Sequence, residues 1–273
     1  MFLEVALAMI SILLAATLYT AAQGSAVQVK VANEPRTKSV QVMWKEKRVP
    51  AFRVDDVWTT ILGIDLDAKP GTHRAEAVLT MDDGSTQRRE IAIKVAAKKF
   101  PVTRLKVEPR FTQLSKTNLS RASRESKEVG ALYRRITTDL FPDQPFIVPI
   151  PGGTGTNFGE RRVFNGQARA PHSGADLRAA TGTPVHATNR GLVVLAKDLF
   201  FTGNTVIVDH GLGIYSLYAH LDRVDVKRGA VVTSNQIVGL AGATGRVTGP
   251  HLHWAMRVQG ARVDPFSLVS GGG

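Results

Sequence analysis

Two short segments carry the side chains best suited to chemistry in this chain: Pro171-His172-Ser173-Gly174-Ala175-Asp176 and, further on, Gly249-Pro250-His251-Leu252-His253-Trp254. Two imidazoles and a carboxylate are the donor set of a catalytic zinc site, which uses three protein ligands and leaves a fourth position for water. Side chains alternate faces along a strand, so His251 and His253 should project to the same side, where one can hold a metal and the other can move protons. His172 and Asp176 would reach them from a separate loop. Six of the seven histidines fall between positions 172 and 253, and such clustering marks a site.

Other chemistries are excluded by what the chain lacks. It has no cysteine, so disulfides, thiolate metal sites and cysteine nucleophiles are all ruled out. There is no His-Glu-x-x-His helix, no Gly-x-Ser-x-Gly elbow and no Gly-x-x-x-x-Gly-Lys phosphate loop. What remains must run on His, Asp, Ser or a metal.

The elements that would position these residues are mostly strands. Val27, Val29 and Val31 alternate with polar residues, as do Val40 and Val42, and then Ile91, Ile93 and Val95; this period of two predicts half-buried strands. Turn chemistry at Lys69-Pro70-Gly71-Thr72 and Asp82-Asp83-Gly84-Ser85 separates them. Residues 23–98 thus read as a small all-β, sandwich-like accessory domain with Trp44 and Trp58 in its core. Between Thr117 and Ile136 the period changes: Leu119, Ala122, Val129, Leu132, Tyr133 and Ile136 recur at helical steps among basic residues, which predicts an amphipathic helix inside a basic linker, residues 99–146. Beyond it, short β-branched runs (192–196, 205–208, 214–219, 236–241, 252–258) punctuated by glycines predict an antiparallel β domain over 147–273. The expected class is therefore mainly β: a β-sandwich-like domain, a helical linker and an antiparallel β domain.

An almost unbroken apolar stretch from Val5 to Ala22 ends in Thr20-Ala21-Ala22, small residues suited to processing. Residues 1–22 accordingly read as an export signal or a membrane anchor, placing the protein in the periplasm or cell envelope. Glu4 stands where such a signal normally carries Lys or Arg.

At its chemical segments the chain resembles the lysostaphin-type, LytM-like zinc metallo-endopeptidases, which cut peptidoglycan peptides. The resemblance rests on His172-x-x-x-Asp176, on Tyr218-Ala219-His220-Leu221 and on His251-Leu252-His253. The flanks share it: Phe158-Gly-Glu-Arg-Arg, Phe164-Asn-Gly, Thr181-Gly-Thr-Pro-Val and Gly242-Ala-Thr-Gly-Arg-Val-Thr-Gly. It covers roughly residues 147–268. It implies a duplicated-hybrid-motif peptidase fold, His172, Asp176 and His253 as zinc ligands, His220 and His251 as catalytic histidines, and Asn204 and Thr244 as groove-wall or supporting residues. The implied activity is hydrolysis of peptidoglycan cross-links by zinc-activated water. Two alternatives stand beside it: an inactive, wall-bound activator of another hydrolase, and a lipoyl-like carrier domain, suggested by the hairpin from Val226 to Gly239. In that hairpin Asn235 occupies a position where the pattern usually has Gly. His73, His186 and His210 match no motif role and are expected to be structural.

Net charge is +12, and residues 99–135 alone hold ten basic and three acidic side chains. An excess of this kind draws an exported protein toward an anionic wall polymer or membrane surface. No recognition motif or interleaved aromatics accompany it, which argues against nucleic acid as a partner. Peptidoglycan is the expected partner, with membrane contact only through the N-terminal segment.

Overall fold

The computed structural model describes residues 17–106, 114–138, 142–143, 145–155 and 157–269. Its N-terminal domain is built from β1 (Thr17–Ala22), β2 (Ala26–Ala32), β3 (Thr37–Trp44), β4 (Lys47–Pro50), β5 (Phe52–Val54), β6 (Val57–Gly63), β7 (Gly71–Met81) and β8 (Thr86–Ala96). A five-stranded sheet in the order β1-β8-β7-β3-β4 faces a three-stranded sheet, β2-β6-β5. The alternating valines and isoleucines point between the two sheets, and Trp44 and Trp58 are buried with them. Each indole is satisfied: Trp44 Nε1 donates to the Gly63 carbonyl at 3.1 Å and Trp58 Nε1 to Asn33 Oδ1 at 2.9 Å.

One boundary differs from expectation. The last six residues of the apolar N-terminal stretch form β1, which pairs in parallel with β8 from Thr17↔Ile91 to Ala22↔Ala96. Here Leu18 is exposed whereas Tyr19 and Ala21 pack against the core, so these residues follow a strand pattern that a purely apolar reading misses. Residues 1–16 lie outside the described residues, and the export or anchor reading of that segment lies there with them. Among the described residues no helix is long and apolar enough to cross a membrane.

The linker contains a strand as well as a helix. β9 (Val102–Leu105) runs parallel to β10 (Arg161–Phe164), which pairs in turn with β11 (Gln167–Ala168). The helix, α1 (Lys116–Leu132), begins where the Ser115 side chain accepts from the Asn118 N–H, an N-cap that satisfies one of the unpaired first-turn donors. It ends four residues earlier than the apolar pattern suggested. Ala122 and Leu132 are buried, Leu119 is exposed, and Ile136 packs on the core from the segment after the helix.

The C-terminal domain continues with β12 (Ala175–Arg178), β13 (Pro184–His186), β14 (Gly191–Leu199), β15 (Gly203–Asp209), β16 (Ile214–Val224), β17 (Val231–Val232), β18 (Ile237–Ala241), β19 (His251–Val258) and β20 (Ala261–Val263). The central path of its sheet runs β12-β19-β16-β15-β14-β17, with β13 beside β18, β18 also on β16, and β20 on β19. Asn235 has φ of 67°, a left-handed conformation that Asn tolerates better than most residues.

The two β domains meet without a solvent gap. A Cβ added at Gly63, the end of β6, would lie 2.4 Å from the Val258 carbonyl oxygen and 2.9 Å from the Ala261 Cβ, so the N-terminal sheet lies directly against β19 and β20. Gln259 stitches the seam, its amide donating to the Ile61 and Leu212 carbonyls while its oxygen accepts from the Gly63 N–H. Arg262 forks onto Asp65 and Asp67, and Arg161 reaches Asp67 at 2.7 Å.

Candidate metal centre and catalytic cleft

Asp176 stands on β12 directly opposite His253 on β19. The carboxylate therefore comes from a strand rather than from a loop, and the ladder itself places it beside an imidazole. His172 lies just upstream of β12 and closes the set. His172 Nε2 is 3.0 Å from His253 Nδ1 and 3.1 Å from Asp176 Oδ1, and His253 Nδ1 is 2.8 Å from the same oxygen. Three lone-pair-bearing atoms thus converge on one point. Donors spaced at roughly 3 Å match the edges of a tetrahedron whose ligand bonds are about 2 Å long, so the residues present fit a zinc ion. These three also form the only His/Cys/Asp/Glu group among the described residues that could hold a metal.

Asn157 fixes two of the three donors. His172 Nδ1–H donates to its carbonyl at 3.0 Å, its side-chain amide donates to Asp176 Oδ2 at 2.7 Å, and its Oδ1 accepts from the Asp176 N–H at 3.0 Å. That arrangement selects the His172 tautomer with Nε2 free and leaves Asp176 Oδ1 facing the imidazoles, the supporting-shell logic of metal sites. Burial alone would raise the Asp176 carboxyl, but hydrogen bonds from His172 and His253 outweigh it and hold the group far below the ordinary carboxylate range. Burial pushes the His253 imidazole down, favouring the neutral form that ligates. Gly174 makes the close approach possible: a Cβ there would lie 2.6 Å from the Trp254 carbonyl and 2.9 Å from the His253 ring.

His220 and His251 form a second layer. Their rings lie 4.9 Å apart, and His220 is 6.0 Å from His253. Each donates Nδ1–H to a backbone carbonyl, His220 to Thr244 and His251 to Gly249, both at 2.9 Å, which leaves Nε2 as the ring nitrogen available for chemistry. His251 Nε2 is 3.8 Å from Asp176 Oδ1. Burial lowers the His220 pKa to about 4, only partly offset by the bond to Thr244, so this imidazole is neutral at neutral pH. His220 has φ of 63°, and the register of β16 shifts on its flanks against both β15 and β18. That bulge turns an imidazole out of the strand's regular alternation and into the cleft.

Asn204 and Thr244 sit behind His220. Thr244 Oγ1 accepts from the Asn204 N–H at 2.9 Å and donates to the Leu221 carbonyl at 2.8 Å, while the Asn204 amide reaches the Asp222 carbonyl. They pin the loop between β18 and β19 to β15 and β16. The remaining histidines stay apart: His73 bonds the Lys69 carbonyl, His186 the Pro149 carbonyl, and the buried His210 lies between the Arg190 carbonyl and the Ser216 hydroxyl.

The cluster lies in an open cleft of about 330 Å³, whose rim adds Arg162, Phe201, Thr202 and Arg246. A cavity of similar size under α1 shares Phe201 and Thr202 but holds none of the histidines. Sequence reasoning missed Asn157, Arg162 and Arg246 as site residues. The last two lie inside segments quoted for the resemblance; Asn157 lies next to one and has no motif signal of its own.

Comparison with known proteins points one way. Residues 170–265 match the model of Peptidase family M23. The peptidoglycan DD-endopeptidase ShyA of Vibrio cholerae is 42% identical over 110 residues, 40% of this chain and 26% of that protein. The peptidoglycan DD-endopeptidase ShyB of the same organism is 33% identical over 182 residues, 66% of this chain and 38% of that one. The chain thus spans about a quarter to two fifths of the length of these curated relatives. A crystal structure of a putative peptidase M23 from Pseudomonas aeruginosa superposes with a TM-score of 0.67 at 30% identity, covering 91% of this chain and 94% of the other.

Proposed function

The chain belongs to peptidase family M23, and from that premise we propose that it is a zinc endopeptidase of the cell envelope that hydrolyses peptide cross-links in peptidoglycan, the bond class for which its DD-endopeptidase relatives are named. The observation that carries this reading is the convergence of His172 Nε2, Asp176 Oδ1 and His253 Nδ1 inside an open cleft, with two further histidines offering free Nε2 atoms beside them. A zinc ion held there would polarise the scissile carbonyl and acidify a water molecule.

The chain's own residues supply the rest. His220 enters neutral because burial lowers its pKa to about 4, and with Nδ1 of both rings engaged by backbone carbonyls it is Nε2 of His220 or His251 that can take a proton from the attacking water and return it to the leaving amine. Hydrolysis then adds one water across the C–N bond and leaves both imidazoles as they began. Export to the envelope is part of this proposal, supported by the apolar N-terminal stretch and by peptidoglycan as substrate.

The test separates ligands from proton carriers. His253→Ala should lose both bound zinc and cleavage of purified muropeptides. His220→Ala and His251→Ala should keep near-stoichiometric zinc by elemental analysis while turnover falls by roughly 10²-fold or more. Equal zinc loss in all three variants would sink the assignment.

A further inference from the structure

The helix α1 does not close onto the sheet beneath it. Ala122, Ser126 and Gly130 recur at every fourth position, the spacing that lines one side of a helix, and all three stand on the wall of the cavity of about 330 Å³ below α1. A Cβ at Gly130 would meet only the Arg134 guanidinium, at 3.8 Å. The facing wall comes from Leu199 on β14, Leu217 on β16 and Arg257 on β19. The gap persists although the helix is tied down beside it, by Arg121 to Asp198 and by Glu128 to Lys197, both at 2.7 Å.

Two polar groups on this cavity lack a matching partner. Arg257 Nη1 donates to the Ser173 and Met256 carbonyls at 3.2 and 3.3 Å, and its guanidinium lies 5.3 Å from the Tyr133 ring centre. Among the described residues no carboxylate pairs with it, and its Nε and Nη2 have no acceptor. The Tyr133 hydroxyl likewise makes no hydrogen bond among the described residues. Burial pushes the Arg257 guanidinium below its ordinary value and the Tyr133 hydroxyl above its own, so both are shielded from water. The one acid in the lining, Glu125, is already engaged: Oε1 accepts from Arg121 Nε and Oε2 from the Phe200 N–H, both at 2.7 Å. A desolvated cation without a counter-charge is costly, and an entering anion relieves that cost. One guanidinium and one hydroxyl match the two oxygens of a monoanion, whereas a phosphate would leave oxygens unpaired. Val129, Leu199, Leu217 and Phe201 make most of the remaining wall apolar, which suits an aliphatic body.

We propose that the cavity under α1 is a ligand site of its own, which shares only Phe201 and Thr202 with the histidine cleft and takes a carboxylate carried on an apolar body. The carboxylate sits against Arg257 and Tyr133, and the body lies between the helix and the sheet. A fatty acid supplies this chemistry, and so does the end of a peptide chain whose last residue is apolar.

The test is calorimetric titration of the zinc-loaded full chain with octanoate and with N-acetyl-leucine, each against its neutral counterpart, octanol or N-acetyl-leucine amide. An acid that fits should bind as one molecule per chain and at least about tenfold more tightly than the neutral compound, the scale of a charge-assisted hydrogen bond. Arg257→Gln should erase that preference and Tyr133→Phe should reduce it, while Ser126→Phe, at the exposed mouth of the cavity, should block acid and neutral compound alike. If Arg257→Gln does not fold, the other two variants carry the same test. Chelation of the zinc should leave binding in place, because the metal donors line the other cavity. Tighter octanoate identifies a fatty acid as the source and tighter N-acetyl-leucine a chain end, and either result supports the site. Failure of both acids to bind, equal binding of acid and neutral compound, a preference unchanged by the variants, or binding that disappears with the zinc overturns the inference. Peptide cleavage enters none of these measurements, so the peptidase reading stands or falls separately.

Discussion

Asn157 shows how far one uncharged residue can order a site, because its carbonyl, its amide and its amide oxygen each engage a different group on His172 or Asp176. Asn157→Ala should weaken zinc binding by about 10–100-fold in chelator competition, the usual cost of losing such a supporting partner, whereas Asn157→Asp should place a second negative charge against Asp176. His210 offers a separate prediction about pH. Buried between the Arg190 carbonyl and the Ser216 hydroxyl, with the Phe146 ring edge-on at 5.5 Å, its pKa is pushed down by burial to about 4. The folded state thus binds the proton less readily than the unfolded chain, whose histidines titrate near 6.5. The stabilisation is fully present above that value and is lost as pH falls toward 4, by about 3 kcal/mol at most. Urea denaturation at pH 7.5 and at pH 5 should show a smaller stability loss on acidification in His210→Asn than in the parent. At this scale the donor residues were legible, because spaced His and Asp residues have few other uses. Asn157 was not, since a loop amide acting partly through its own carbonyl leaves no periodic or compositional trace.

At the scale of elements, period-two alternation located β2, β3 and β8, whose sheets bury one face, and β-branched runs between glycines located β14, β15, β16, β18 and β19 in the C-terminal core. Where that one-sided pattern weakens, so does the reading. β1 is an edge strand whose outward Leu18 is as apolar as its inward neighbours, so the alternation vanishes. α1 stops at Leu132 although apolar residues continue at helical spacing: Tyr133 is its C-cap, and Ile136 packs on the core from the segment beyond. The bulge at His220 has no sequence signature at all, since a left-handed histidine reads like any other. The β12–β19 ladder also explains the intolerance expected at Gly174. Gly174→Ala should drive a methyl into the Trp254 carbonyl and the His253 ring, costing about 1–3 kcal/mol and lowering zinc affinity together with stability. Measured affinity equal to that of the parent would show that the two strands can part without disturbing the donors.

Across the whole molecule, the seam between the β domains combines apolar packing, in which Leu66 clusters with Phe100 and Phe158, with polar ties over a close backbone contact. Burial alone would raise the Asp65 carboxyl, but hydrogen bonds from the Arg262 side chain and backbone hold it below its ordinary value, so this pair is a net attraction across the seam. Arg262→Ala should cost about 1–3 kcal/mol, less than a fully buried pair because both side chains remain about a quarter exposed. Trp44 and Trp58 report on one domain and Trp254 on the other; in urea their signals should be lost in a single transition in the parent, and two separated midpoints would show that the domains unfold independently. The flush contact at Gly63 has a consequence for modularity. β19 carries His251 and His253 at one end and presents Val258 to the foreign backbone at the other. Any domain exchanged for the N-terminal one must offer a strand bare of side chain at that point, followed by acids to meet Arg262. The peptidase half is thus not an interchangeable cassette, and a chimera that ignores position 63 should displace the strand on which its histidines are mounted.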